Sequence, residues 1–365
     1  MLRKQPHIVL PHVHALLSKS ETAASNAAAG RRKSKASSTN TTTGQVVADN
    51  DRKKSLAAER VIEEYRTSSS SALTFCRGYD KMSSLYIQLA LYKHKDNKDT
   101  RTKTVKMASI PGWTKMTREI KDEGVAIVTA HSDQLLCSNV SNDEGEDEDW
   151  RQSERHRQVS FFQSFNTHFE QIFSGNSLPK LVTCYDDSGA EYHQVVKAGD
   201  DLRQDAVMQQ FFRVVNALLR KDVNVSKRSL QIRTYRVVPL TGTVGVMEFV
   251  GNTQALMGVL KNGHKKFHPH EPSYEKLRGR LKITSTITNK KRLKNYEQVC
   301  RDVKPCMHSI LISKLLEPKK WYEGRLNYTH SAAVTSMTGY IVGLGDRHLG
   351  NILLDSATSE LVRFF

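Results

Sequence analysis

The chain is 365 residues long, 38% hydrophobic and 25% charged, with a formal net charge of +17. That length allows two or three domains with a sizeable core, and no apolar run approaches the ~18–20 residues that a membrane-spanning helix needs. The basic excess favours anionic partners such as nucleic acid, acidic protein or nucleotide phosphate, without choosing among them.

The opening "MLRKQPHIVLPHVHALLSK" sets basic residues before an apolar stretch, in the manner of a secretory signal. His7, Pro11, His12 and His14 interrupt that stretch and no small-residue cleavage site follows, so the reading is rejected. Residues 1–48 contain one acid, Glu21, a transit-peptide-like composition that the reading does not favour. Ser20–Gln45 is rich in Ser, Thr, Ala and Gly, which predicts a disordered insert over residues 20–55. Its "RRKSK" (Arg31–Lys35) reads first as a solvated run and second as a phosphate-tracking patch, with a nuclear-import signal as a further, weak reading. Beyond it, Leu56, Val61, Ile62 and Tyr65, then Leu73, Phe75, Tyr79, Met82, Leu85 and Leu89, recur at helical spacings and predict a helical hairpin. "SNDEGEDEDW" (Ser141–Trp150) lacks the ligand spacing and turn glycine of an EF-hand loop and reads as a solvated acidic loop.

From about residue 158 the texture becomes β-rich. "VSFFQSF", "LVTCY" and "YHQVVK" read as strands, the last two joined by the turn "DDSGAE". "DLRQDAVMQQFFRVVNALLRKD" (Asp201–Asp222) predicts a helix whose buried face carries Ala206, Val207, Phe211, Val214, Val215, Leu218 and Leu219. Two more strands are predicted in "LQIRTYRVVPL" (Leu230–Leu240) and "GVMEFV" (Gly245–Val250), and residues 251–343 have helical spacing. This order suits a two-lobed α+β enzyme with its cleft between the lobes. The five cysteines (Cys76, Cys137, Cys184, Cys300, Cys306) form no CxxC pair and no metal spacing, which suggests reduced thiols in an intracellular protein.

Several of these residues suit phosphoryl transfer, which asks a protein for positioning and charge stabilisation. "FSGNSLPK" (Phe173–Lys180) is a turn whose backbone N–H groups could reach phosphate oxygens. Lys197 ends a strand and could supply the phosphate cation, with Asp200, Asp201 and Asp205 just downstream. Asp205 is the preferred partner for that lysine, while Asp201 also reads as a helix cap. At Met247–Val250 an adenine could bond the backbone and stack on Phe249, although buried strand packing explains the same spacing. Asp346 and Asn351 stand five apart, as do the Asp and Asn of the protein-kinase loop H-R-D-x-x-x-x-N. His348 follows the Asp here instead of preceding it.

"LVTCYDDSGAEYHQVVKAGDDLRQDAVMQQFF", "TYRVVPL" and "GRLNYTHSAAVTSMTGYIVGLGDRHLGNILLD" together resemble the phosphatidylinositol 3-kinase-related protein kinases, most nearly their ATM/Tel branch. The resemblance implies a two-lobed, PI3/PI4-kinase-type α+β fold preceded by a helical FAT-like end segment. It divides the chain into that segment (1–95), a kinase N-lobe (96–250) containing the acidic loop (141–150), and a partial C-lobe (251–365). The implied activity is serine/threonine protein kinase, using ATP and Mg2+ (or Mn2+), with protein substrates carrying Ser/Thr-Gln. The implied setting is nuclear DNA-damage and telomere signalling, with a DNA-break sensor complex as partner and a homodimeric state. No membrane role is implied and direct DNA binding stays open, while a general nucleic-acid-binding protein is the weakest reading, since no aromatic-interleaved basic module is present.

Carried over residue by residue, Ser174, Gly175, Ser177 and Lys180 fall in the phosphate loop. Lys197 takes the place of the ATP-phosphate lysine, with Asp205 as its acidic partner. Glu248 and Phe249 fall at the adenine hinge. Asp346 and His348 take the places of base and transition-state stabiliser, with the choice between them open. Arg347 holds the loop's shape, and Asn351 stands for a Mg2+ ligand. The family's second metal ligand, the Asp of an Asp-Phe-Gly-like motif, falls fourteen residues after that Asn, where this chain has Phe365. The expectation is that this ligand, the activation loop, the rest of the C-lobe and the FATC segment are absent, so that the isolated chain folds poorly and transfers little phosphate. A lipid kinase and a non-catalytic pseudokinase or scaffold are the alternatives.

Overall fold

A computed structural model describes residues 41–93, 102–127, 129–130, 160–172, 178–282, 288–346 and 348–363. The chain divides into two compact units, residues 1–209 with 235–249, and residues 210–234 with 250–365.

The first unit begins with a helical hairpin, α1 (Thr41–Ser68) and α2 (Ser70–Leu91). Ser69 caps α2, its hydroxyl accepting from the Ala72 N–H at 3.1 Å. The insert expected to be disordered is therefore helical over residues 41–55, where Gln45, Ala48, Arg52, Lys53 and Lys54 favour helix. Residues 20–40 and the acidic loop lie outside the described residues. Ile62, Tyr65, Phe75, Tyr79, Met82, Leu85 and Leu89 are buried as the spacing predicts, whereas Leu56, Val61 and Leu73 are exposed.

The hairpin packs on an antiparallel sheet of β1 (Thr102–Lys106), β2 (Phe162–Phe165), β3 (His168–Ile172), β4 (Lys180–Asp186), β5 (Glu191–Ala198), β6 (Val237–Pro239) and β7 (Val244–Glu248). Its order is β1-β3-β4-β5-β7-β6, with β2 paired to β4. A further helix, α3 (Trp113–Asp122), buries Trp113 and Ile120 in the same core. Tyr79, Met82, Leu85, Tyr86 and Leu89 of α2 share one hydrophobic cluster with Val182, Cys184, Val196 and Val246. The helical segment expected over residues 1–95 thus shares, through α2, the core of the sheet. Strand alternation sorts the two faces. Leu181 pairs with Val195, Thr183 with His193, and Lys197 with Gly245, so these lie on one face, while Lys180 pairs with Val196 on the core face.

The unit boundary falls inside α4 (Leu202–Lys221), and here the predicted face is wrong. Val207, Val214 and Leu218 are exposed, and Leu202, Asp205, Gln209, Phe212 and Asn216 are buried. The polar members are buried because they serve backbone. Gln209 accepts from the Tyr235 N–H at 3.0 Å, and Asn216 both donates to the Ile232 carbonyl and accepts from its N–H, each at 2.8 Å. The strand expected from Leu230 shrinks for the same reason to Val237–Pro239, since side chains replace a sheet partner for the residues before it.

The second unit contains the short α5 (Val223–Lys227), β8 (Thr253–Ala255), α6 (Leu256–Phe267), α7 (Tyr274–Leu281), α8 (Asn289–Asp302), α9 (Met307–Lys314), α10 (Pro318–Ile341), β9 (Ile352–Asp355) and β10 (Leu361–Arg363). Its three strands order as β10-β9-β8. Leu256, Val259, Cys306, Ile310, Leu354 and Leu361 form its core. The β9–β10 hairpin is held by Ser331, whose hydroxyl accepts from the Leu361 N–H at 2.9 Å, and by Arg233, which donates to Asp355 at 3.2 Å. Among the described residues no helix is long and apolar enough to cross a membrane, and Cys76, Cys184, Cys300 and Cys306 are free thiols.

Candidate active site

In the first unit, β5 carries Lys197 to its end, on the face away from the core. Its ammonium lies 2.6 Å from the Asp200 carboxylate, so Asp200, and not the expected Asp205, is its ion-pair partner. Asp205 is 7% exposed at the start of α4. Burial pushes its carboxyl up to about 6, against the pull of the Lys197 charge, and Asp200 and Asp201 add to the rise. Asp201 is held apart by Arg203, whose guanidinium donates to both its oxygens at 2.7 Å.

Lys180 departs furthest from expectation. It is 2% exposed and donates to the carbonyls of Leu89, Ala90 and Tyr92, the last two at 2.7 Å. An ammonium so engaged on the core face has no donor left for a phosphate, since it owns three protons. Ser174, Gly175 and Ser177 lie outside the described residues.

At the expected hinge, Glu248 is tied to backbone. Its carboxylate accepts from the Arg236 N–H at 3.0 Å, and its own N–H donates to the Arg236 carbonyl at 2.8 Å. Phe249 donates its N–H to the His193 carbonyl at 3.0 Å and stands edge-on to that imidazole, 6.4 Å between ring centroids. Phe249 remains 37% exposed, enough for a face to be offered to a base. The next amide, Val250 N–H, makes no hydrogen bond among the described residues, although its carbonyl accepts from Thr253. The expected adenine contact at Met247–Val250 did not single out one amide, because only the cross-strand partners of its neighbours reveal which is left unspent.

In the second unit, the loop between α10 and β9 gathers Asp346, His348 and Asn351. The Asn351 amide donates to the Asp346 carboxylate at 3.0 Å and to its carbonyl at 3.3 Å. Asp346 sits at φ +49°, in the left-handed region, so the loop bends sharply where the carboxylate is displayed. The Gly350 N–H donates to His348 Nδ1 at 3.0 Å, and His348 Nε2 lies 3.7 Å from Asp346 Oδ1. With Nδ1 accepting, a neutral imidazole carries its proton on Nε2. Arg347 and Phe365 lie outside the described residues.

Asn351 also fits a divalent ion. Its amide NH2 is spent on Asp346, which leaves its oxygen as an acceptor, the donor type that Mg2+ prefers. No group of three or more His, Cys, Asp or Glu side chains able to hold a metal occurs among the described residues.

Comparison with known proteins gives a consistent result. Residues 191–363 match the family model for phosphatidylinositol 3- and 4-kinase. The chain is 41% identical over 198 residues to "Serine/threonine-protein kinase ATM" of Arabidopsis thaliana, covering 52% of this chain and 5% of that protein. It is 41% identical over 190 residues to "Serine/threonine-protein kinase tel1" of Schizosaccharomyces pombe, covering 52% of this chain and 7% of that protein. Among solved structures it is similar to "FAT and kinase domain of CtTel1", with a TM-score of 0.73 and 28% identity over 86% of this chain and 21% of the other. "Complete CtTel1 dimer with C2 symmetry" matches with the same TM-score and 27% identity, over 87% of this chain and 11% of the other. The chain thus spans only about one-twentieth to one-fourteenth of the curated relatives' length.

Proposed function

We propose that the protein transfers the γ-phosphoryl group of ATP to serine or threonine hydroxyls followed by glutamine, since its residues 191–363 match the phosphatidylinositol 3- and 4-kinase family model and the chain is similar to the ATM and tel1 serine/threonine-protein kinases. The observation that carries this reading is the Asp346–His348–Asn351 arrangement. The His348 Nδ1 lone pair is occupied by the Gly350 N–H and its Nε2 bears the proton, so Asp346 is the group able to take the proton of the acceptor hydroxyl. His348 Nε2–H would donate to the transferred phosphoryl group, where charge develops in the transition state. Lys197 would bind the nucleotide phosphates, with Asp200 and Asp205 as alternative counter-charges. The Val250 N–H and the Phe249 ring are offered to the adenine. Asn351 would hold Mg2+ through its amide oxygen, and that ion, when bound, neutralises charge on the phosphates.

Protein substrates in nuclear DNA-damage and telomere signalling and a DNA-break sensor partner belong to the same proposal as what the family resemblance implies, and a homodimeric state is supported by the dimeric CtTel1 structure. The test uses MgATP binding to the purified chain, and phosphate transfer by the chain and by the native protein isolated from cells. Binding weakened at least ~10-fold by Lys197→Met, with labelling of a Ser-Gln peptide but not of phosphatidylinositol vesicles, is expected. Asp346→Asn should abolish transfer while leaving MgATP bound. Labelled lipid, or transfer surviving Asp346→Asn, would refute the assignment.

A further inference from the structure

Strands β4 and β5 show Thr183, His193 and Lys197 on one face and Lys180, Gln194 and Val196 on the other. The second face lies against α2, and it makes two buried polar contacts there. Lys180 donates its three protons to the carbonyls of Leu89, Ala90 and Tyr92, at the end of α2 and just beyond it. Helix C-termini leave such carbonyls unpaired and carry partial negative charge, so a buried cation suits them. Burial lowers the Lys180 pKa to about 8, which still leaves the group charged at neutral pH. One strand over, Gln194 is fully buried. Its oxygen accepts from the Tyr86 hydroxyl of α2 at 2.6 Å, and its NH2 donates to the Thr129 hydroxyl at 2.7 Å.

The apolar cluster around Leu85 and Leu89 already holds α2 to the sheet. Apolar packing is tolerant of small slides and rotations, whereas a lysine with three acceptors and an amide with two partners admit one placement. Both contacts fall on the strands whose opposite face is the one presenting Lys197. Lys180 lies directly across from Val196, and Gln194 is three residues before Lys197 on the same strand.

We propose that Lys180 and Gln194 are positioning residues which lock α2 behind β4 and β5, so that the placement of this helix sets the nucleotide-binding face. A displacement at the end of α2 reaches the Lys197 strand directly, without passing through the nucleotide. The proposal rests on Lys197 being the phosphate cation.

Hydrogen–deuterium exchange and nucleotide titration on the purified chain test it. Lys180→Met keeps the apolar stem and removes the three donors. Amides of the last turn of α2 should then exchange about tenfold faster, and the Kd for MgATP and for MgADP should rise together, by roughly three- to tenfold. Tyr86→Phe removes one hydroxyl, keeps the ring, and should move both readouts in the same direction by about twofold. This milder variant decides the matter if Lys180→Met does not fold. A Lys180→Met chain that discriminates against ATP more than ADP, with α2 exchange unchanged, would make Lys180 a phosphate ligand and overturn the proposal. Unchanged nucleotide affinity in the folded variants would overturn the positioning role alone. Failure of the unaltered chain to bind MgATP would instead remove the nucleotide reading on which it rests.

Discussion

Asp205 is a carboxylate held in an unfavourable place, and its replacement by asparagine has a worked consequence. Its carboxyl titrates at about 6 in the folded chain against an ordinary 3.8. A rise of about 2 pH units corresponds to roughly 3 kcal/mol at 1.36 kcal/mol per unit. The folded state therefore binds this proton more tightly than the unfolded state does. Stability contributed by the group falls as pH rises between about 4 and 6, and the cost is fully present above the folded pKa. Asp205→Asn keeps the shape and removes the charge. It should raise the unfolding free energy by about 1–3 kcal/mol at pH 7.5 and change it little at pH 4. Urea denaturation at the two pH values reads this directly. The same variant should bind MgATP more weakly, because a counter-charge near Lys197 has gone, and a gain in stability with a loss of binding is the signature of a functional carboxylate. Destabilisation of Asp205→Asn at pH 7.5 would refute the reasoning, because it would mean that Lys197 pairs with Asp205 and not Asp200 in the resting chain.

Two further substitutions probe the supports of the site. A Cβ added at Gly245, which pairs with Lys197 across β5 and β7, would lie 2.8 Å from the Val238 carbonyl oxygen and 2.7 Å from a Leu202 methyl. Gly245→Ala should cost about 1–3 kcal/mol by overpacking, measured as a lowered denaturation midpoint. Arg233 donates to Asp355, a carboxylate only 3% exposed, and to Glu360 at 3.4 Å. Arg233→Met should leave that carboxylate without its cation, cost about 1–3 kcal/mol, and speed amide exchange in β9 and β10, since this hairpin begins directly after Asn351.

The parts of this molecule that were legible in the sequence are those whose chemistry is local. The Asp346-to-Asn351 spacing is five residues within one loop, and the loop brings both groups within hydrogen-bond distance. The helical hairpin was legible because Tyr79, Met82, Leu85 and Leu89 repeat at helical intervals and pack on apolar neighbours. The face of α4 was not, because the residues that turn inward, Gln209 and Asn216, do so to serve the backbone of residues far along the chain. Hydropathy periodicity has no term for that. Lys180 was misread for a related reason. Which face a strand residue occupies is a matter of parity, and one step of register separates a phosphate-facing lysine from a buried one.

The same contrast bears on the division of labour between Asp346 and His348. Two residues apart in sequence and both able to accept a proton, they are chemically interchangeable candidates until the hydrogen-bond partner of Nδ1 is known. In the proposed reaction one backbone amide would favour Asp346. The Gly350 N–H engages Nδ1 at 3.0 Å, and a Cβ at that position would lie 2.8 Å from the imidazole. A side chain there would push the ring off its donor and release the lone pair that makes histidine a base. The glycine thus does more than allow a turn. In the proposed reaction, holding His348 as a donor would leave proton acceptance to Asp346, itself held by Asn351 and displayed by a left-handed backbone.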